Sequence, residues 1–232
     1  MAARYEARQR RQGQGVREMG LKLISQPAVK AVTLTEAKKH LRVTHTDDDD
    51  IINALIDAAI GKVEGWTGRA LVDQTWDLVL DEFPGSNSSC FVQTRCFNSQ
   101  SALAIQIPKP PLIGITQIAY DDANGDEQIM DPADYFVDDA SEPGWVVPAG
   151  ITSWPTTIVA INSVRVRFRA GYLFPDSPPT NAVPEDIKAA VKLILADLYE
   201  YRESQVAGTI SSALPYGVEN ILRRHRVLLG MS

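Results

Sequence analysis

Histidine and cysteine are scarce in this sequence, three and two among 232 residues. That scarcity excludes most metal-centred designs. His40, His45 and His225 stand apart, none at ligand spacing from a cysteine or a second histidine. Cys90 and Cys96, in the stretch CFVQTRC, lie too far apart on a straight strand for an unstrained bridge, and only a turn between them permits one. Two thiols without a spaced framework suggest a reducing compartment. Positive charge is also in deficit: 23 basic against 29 acidic residues give a net charge of −6, unlike a general nucleic-acid binder. Apolar runs are too short to cross a bilayer, and the basic opening MAARYEARQRRQGQGVREMG has no apolar stretch behind it, so no secretory leader is expected. Neither a G-x-S-x-G elbow nor a Walker-type phosphate loop occurs. The expectation is a soluble protein with no catalytic residue, no cofactor, no metal and no membrane contact.

What is present is enough apolar material, 44% of the chain, for a core without staples. Residues 1–30 read as a basic, flexible N-terminal arm: residues 1–22 hold six basic and two acidic side chains, three glycines interrupt them, and apolar periodicity is absent before Leu21. A compact helix follows in TLTEAKKHLR, with Thr33 or Thr35 as its cap. THTDDDDIINALIDAAIGKVEGWTGRAL is the clearest helix. Thr46 is the expected cap, and Asp47 to Asp50 suit the positive end of the dipole. Ile52, Leu55, Ile56, Ala59, Ile60, Val63 and Trp66 recur at helical steps, with Gly65 and Gly68 at its end. The aspartate run lacks the spacing, glycine and late bidentate acid of a calcium loop.

From Gln74 the period changes to two. TWDLVLDEF, two strands split by Pro108, Pro110 and Pro111, an Asn124–Gly125 hairpin signal, DYFVDD, WVVP and SVRVRFRAGY form a β set. The acids around that hairpin fit a polar turn better than a calcium site. In the last strand Val164, Val166 and Phe168 face one way and Arg165, Arg167 and Arg169 the other, a basic row that reads as a solvated face or as a contact for an acidic partner or nucleic acid. Helical spacing returns after a proline-rich linker, with Pro184 in the first turn and Ile187, Val191, Ile194, Leu195, Leu198 and Tyr201 as the stripe. LPYGVENILRRHRVLL is amphipathic but short for an isolated helix, so it needs either the chain's own core or another subunit.

The expected fold class is α+β: a small helical bundle core with helices near 33–73 and 184–230, interrupted by a β-rich insertion, with the arm in front. The division is 1–30 for the arm, 31–73 and 175–232 for the helical core with its C-terminal segment, and 74–174 for the insertion. No regular βαβ alternation supports a doubly wound sheet.

Four segments, LTEAKKHLRVTHTDDDDIINALIDAAIGKVEGWTGRAL, QTWDLVL, IPKPPLIGITQIAYDDANGD with DPADYFVD, and GYLFPDSPPTNAVPEDIKAAVKLILADLYEYRES followed by LPYGVENIL, taken in order, resemble the head–tail connector (adaptor) proteins of long-tailed bacteriophages and prophages. The likeness is to the subgroup with a β-rich insertion and spans roughly residues 33–228; the arm and CFVQTRC lie outside it. It implies a structural ring, typically of twelve subunits, under the portal protein. Such a ring extends the DNA channel and meets the next head-completion or tail protein. DNA would pass without sequence-specific binding, and an acidic lumen would repel it. The location implied is the virion's head–tail junction, reached from the host cytoplasm during assembly.

The same resemblance puts the C-terminal segment on the portal, here Leu214, Tyr216, Val218, Ile221, Leu222, Arg223, Arg224 and Arg226. Aromatic, aliphatic and arginine side chains of that kind dominate interfaces. Ring contacts are expected on the two long helices, at Ile52, Leu55, Ile56 and Trp66 and at Ile187, Val191, Leu198 and Tyr201, since each stripe needs burial. Deleting residues 214–232 is expected to leave a folded protein that no longer joins the portal. The competing readings are a stopper-like or tail-completion ring protein and, from another class, a carbohydrate-active enzyme using carboxylates of the β block.

Overall fold

The structure, a computed structural model, describes residues 20–85, 103–150, 153–172, 182–201 and 216–227. Cys90 and Cys96 lie outside the described residues, as do residues 1–19.

Four helices are described: α1 (Leu34–Leu41), α2 (Asp49–Thr67), α3 (Glu185–Glu200) and α4 (Tyr216–Arg223). Thr33 caps α1 in a reciprocal box: its hydroxyl accepts from the Glu36 amide, while the Glu36 carboxylate accepts from the Thr33 amide at 2.8 Å. The start of α2 differs from expectation. Its N-cap is Asp48, not Thr46, and Asp48 makes no side-chain cap. Thr46 contributes only its carbonyl, to the Asp49 amide, and the Asp48 carboxylate accepts the Tyr199 hydroxyl of α3 at 2.5 Å. The carboxylate at the N-cap position is thus engaged in a tertiary bond rather than in a cap. Gly65 is helical, and α2 ends one turn later at Gly68, whose φ of 74° is the left-handed conformation that glycine adopts freely.

The helices close on one apolar cluster. Ile52, Ile56, Ala59 and Val63 of α2 meet Ile187, Ala190, Val191, Ile194 and Leu195 of α3, with Ala37 of α1 and Val218 and Leu222 of α4. Each fully buried Ile or Leu here stabilises the fold by about 1.5–3 kcal/mol through removal from water.

The β block holds two antiparallel sheets. One has the order β1 (Gly20–Ser25), β2 (Gln74–Leu80), β8 (Val164–Ala170), β4 (Leu112–Asp121), β5 (Glu127–Ile129). The other has the order β3 (Ile105–Ile107), β7 (Gly144–Pro148), β6 (Tyr135–Asp138). Leu78, Ile118, Val164, Val166 and Phe168 from the first share a core with Ile105, Ile107, Val146 and Tyr135 from the second. The Asn124–Gly125 tip joins β4 to β5 as expected. Asp122 accepts there from the amides of Asn124 and Asp126, which hold its carboxyl below the ordinary range.

β1 corrects the expected arm. Residues 20–25 pair with β2 from Gly20 opposite Val79 to Ser25 opposite Thr75. Leu21 and Leu23 are half-buried, while Lys22 and Ile24 face out. That is a period of two over residues 20–24, invisible to a search for helical spacing. It also changes the division of the chain. The β block is not one contiguous 74–174 insertion, because its edge strand precedes the helices.

The two parts meet where α2 runs into β2. The Glu64 carboxylate of α2 accepts from the Leu71 amide and the Gln74 side chain, each at 2.8 Å; burial raises its pKa against those bonds. Gly171, at φ 122°, donates to the Pro111 carbonyl at 2.8 Å, and a Cβ there would run into the Val72 carbonyl.

Candidate functional site

Two arginine sets stood out in the sequence, and the structure treats them differently. On β8 each arginine faces a carboxylate on a neighbouring strand or turn. Arg165 pairs with Asp121 and Glu127, Arg167 makes a two-point contact with Asp77 at 2.7 and 2.9 Å, and Arg169 pairs with Asp73. The acids' hydrogen bonds and charge raise the pKa of Arg167 and Arg169. The row is neutralised within the sheet, as cross-strand opposite charges are.

The second set lies on α4 and the turn after it. Arg223 and Arg224 are each 68% exposed in their side chains, and Arg226 is exposed. Their partners are few and peripheral: Arg223 reaches Glu219 at 3.5 Å, Arg224 reaches Asp186 at 3.1 Å, and Arg226 lies over the Trp66 ring at 5.3 Å. Together they form a basic surface at the end of the helices nearest the β block.

A hub of buried charge holds that surface in place. Arg69, 8% exposed, donates from Nε to the His225 carbonyl at 2.6 Å and through its terminal nitrogen to Glu142 in the β6–β7 loop at 2.5 Å. His225 in turn meets Asp186 of α3 at 2.7 Å, and the Val227 amide donates to the Thr67 carbonyl at 2.8 Å. The Arg69 hydrogen bond holds the Glu142 carboxyl below its usual range. For Asp186, burial alone would raise the pKa, but the His225 hydrogen bond and charge, the Ile187 amide and Arg224 lower it overall. Burial raises the Tyr172 phenol beside Arg69. One side chain therefore ties the end of α2, the C-terminal turn and the β block together. Arg69 carried no signal in the sequence, since its partner His225 is 156 residues away.

The residues expected to dock on a partner divide. Val218 (2% exposed) and Leu222 (0%) are inside the helical core, so they are corrected from docking to structural residues. Ile221 packs half-buried against that core, and Arg223, Arg224 and Arg226 remain outside. Leu214 lies outside the described residues; for Tyr216 only the backbone, at the start of α4, is described.

The expected ring contacts divide the same way. Ile52, Ile56, Ile187 and Val191 are fully buried in the chain's own core and cannot touch a neighbour. Leu55, Trp66 and Leu198 pack half-buried on it, and Tyr201 is 64% exposed. The physical reason is common to both corrections. The stripes find each other within one chain, and the sequence cannot tell a partner helix of its own from another subunit's. The apolar side chains left outside on these helices are Ile51, Leu193 and Tyr201.

Among the described residues no group of three or more His, Cys, Asp or Glu could hold a metal ion, and no helix is long and apolar enough to cross a membrane.

Residues 31–124 match the model of a family described as Phage gp6-like head-tail connector protein. Solved structures of similar fold include a chain from the neck of an empty gene transfer agent (GTA) particle computed with C6 symmetry, with a TM-score of 0.67 at 24% identity over 92% of this chain and 100% of that one. A chain from the virion of a native GTA particle gives a TM-score of 0.62 at 25% identity, covering 91% of this chain and 99% of that one. A chain from the neck of a native GTA particle computed with C12 symmetry gives 0.62 at 24%, covering 92% and 100%. No curated protein matches the chain.

Proposed function

We propose, for a chain whose residues 31–124 match the model of a head–tail connector family, that it works as the structural joint between the head and the tail of a tailed phage or phage-like particle. The observation that carries this reading is the family match combined with a shared fold that runs the whole length of a virion neck chain. The helices would form the connector core and the β block the insertion that marks the longer subgroup.

In this reading copies assemble as a ring, and a neck chain of similar fold computed with C12 symmetry favours twelve. The ring would sit under the portal protein, extend the DNA channel and offer its other face to the next head-completion or tail protein. The subunit would await the portal in the host cytoplasm and end at the virion's head–tail junction. The net charge of −6 suits a passage that DNA traverses without being held.

The docking surface is narrower than the sequence suggested. Arg223, Arg224 and Arg226, with the outer side of Ile221, form the face offered to the portal, while Val218 and Leu222 hold it to the core. Arginine is suited to this by its five fixed donors, which meet carboxylates two at a time. Ring contacts fall to the exposed Ile51, Leu193 and Tyr201 and the outer edges of Leu55, Trp66 and Leu198.

The test is reconstitution with the portal protein encoded nearby, followed by size-exclusion chromatography and electron microscopy. A ring of this chain stacked on the portal is the expected result. Binding only to a pre-formed portal–adaptor assembly would instead make it a stopper-like part lower in the neck.

A further inference from the structure

A single row of paired residues crosses the five-stranded sheet near one end. Gly20 of β1 faces Val79 of β2, Val79 faces Arg165 of β8, Arg165 faces Ala119 of β4, and Ala119 faces Ile129 of β5. Four strand spacings separate the first from the last, about 19 Å. Ile129 lies at the rim of a groove of about 490 Å³ between the two sheets. Its base is aromatic and rigid: Trp154 is 7% exposed, stacks on Phe83 at 4.8 Å and donates to the Leu103 carbonyl, and Tyr120 meets Phe83 edge-on. Its wall carries two carboxylates, Asp131 and Asp134, and no lysine or arginine is among its described lining residues. Asp131 accepts from the Ala133 amide with one oxygen; neither acid forms an ion pair among the described residues. Ile129 on the rim is 67% exposed.

The chain that precedes Gly20 has the complementary chemistry. Residues 1–19 hold five arginines against two glutamates, together with Tyr5 and Met19. Nineteen extended residues reach about 60 Å, three times the distance from Gly20 to the groove, and they leave from the same end of the sheet.

We propose that this groove seats the chain's own residues 1–19, with arginine guanidinium groups set against Asp131 and Asp134 and over the Tyr120–Trp154 base. Arginine fits both halves of such a site: it pairs with carboxylates through its fork and stacks on aromatic faces. The proposal concerns the isolated chain and does not depend on the joining role.

The experiment uses the full chain with benzoylphenylalanine introduced at position 5, irradiated at low concentration and mapped by mass spectrometry. Crosslinks are expected on residues 129–134 and 148–155. Their yield should fall at least about threefold in the double variant D131N/D134N, since two exposed charge contacts are lost. Asparagine keeps the capping ability of Asp131, so the turn survives. About 0.5 M salt should reduce the yield in the same direction. Crosslinks scattered over the helices, or an unchanged yield in the double variant, would overturn the assignment. In an equal mixture of isotopically heavy and light chains, products joining heavy to light at about the random half of the total would give the groove to a second copy and overturn the intramolecular seat.

Discussion

Arg165, Arg167 and Arg169 on β8 and Arg223, Arg224 and Arg226 at the end of α4 are sets of three within a few residues of sequence, yet the fold treats them differently. The sheet arginines pair with Asp121, Asp77 and Asp73, Arg167 directly opposite Asp77 and the other two on a diagonal, and their charge is used up within the fold. The C-terminal arginines hang off a helix end whose apolar side is sealed into the core, and although Arg223 and Arg224 meet Glu219 and Asp186, their side chains stay 68% exposed. A strand places its neighbours' side chains directly opposite at about 5 Å and on the diagonal within reach of long side chains, so a charge row there recruits its own counter-row. The short helix α4 packs its apolar side on α2 and α3 and leaves its arginine side to solvent. A basic cluster is therefore better evidence of a docking face at such an end than in the middle of a sheet.

The sharpest way to break this comparison is through the anchor beneath it. Leu222→Ala should destabilise the chain by about 2–5 kcal/mol in denaturant unfolding, the cost of a cavity in a packed core. A value near zero would mean that α4 rests on the core without belonging to it. For the same reason, removing residues 214–232 destabilises the fold, since it takes Val218 and Leu222 out of the helical cluster, and it does not test docking cleanly.

Next in size is Arg69→Met. The guanidinium is almost fully buried, and its loss leaves the His225 carbonyl without that donor and Glu142 without its partner, at about 2–3 kcal/mol. Hydrogen exchange should show faster opening at residues 218–227, with the centre of the β block unchanged. A uniform loss of protection would refute its role as a local tie.

The same tie sets a pH dependence. Glu142 and Asp186 have pKa values held below the ordinary carboxylate range, so they stabilise the fold above pH ~4 and that contribution is lost as pH falls through their lowered values. Glu64 runs the other way, because burial raises its pKa. Protection of residues 218–227 should therefore fall first on acidification. If the β strands open before the C-terminal turn, the account of Asp186 and Glu142 is wrong.

How much of this was legible in the sequence depends on range. The stripes of α2 and of α3 as far as Leu198, the alternation on β2 and β8 and the Asn124–Gly125 hairpin are local patterns that the fold carries as the sequence predicts, whereas Tyr201, past the end of α3, is 64% exposed. β1 is hard to read because its alternation spans only residues 20–24 and sits behind a charged segment. Arg69 was unreadable because its role exists only once residues 142 and 225 arrive beside it. The stripe on α4 was visible, and its two possible hosts were both recognised. Only the fold assigns Val218 and Leu222 to the chain's own core.

A smaller effect sharpens the view of α2. Gly61 lies on its exposed face, and a Cβ there meets nothing within 4 Å. Gly61→Ala should stabilise the isolated chain by about 0.5–1 kcal/mol through helix propensity, read from the urea midpoint. A loss of stability would show that the backbone there is under a constraint the fold does not reveal.

The measurement that bears most directly on the joining role is portal binding by three chains side by side: the wild type, R223A/R224A/R226A and R165A/R167A/R169A. All three are first checked for folding, because the sheet arginines contribute stability. The account predicts that the C-terminal variant folds normally and no longer joins the portal, while the sheet variant, less stable, still joins it wherever it is folded. Normal joining by the C-terminal variant, or a loss confined to the folded sheet variant, would contradict it.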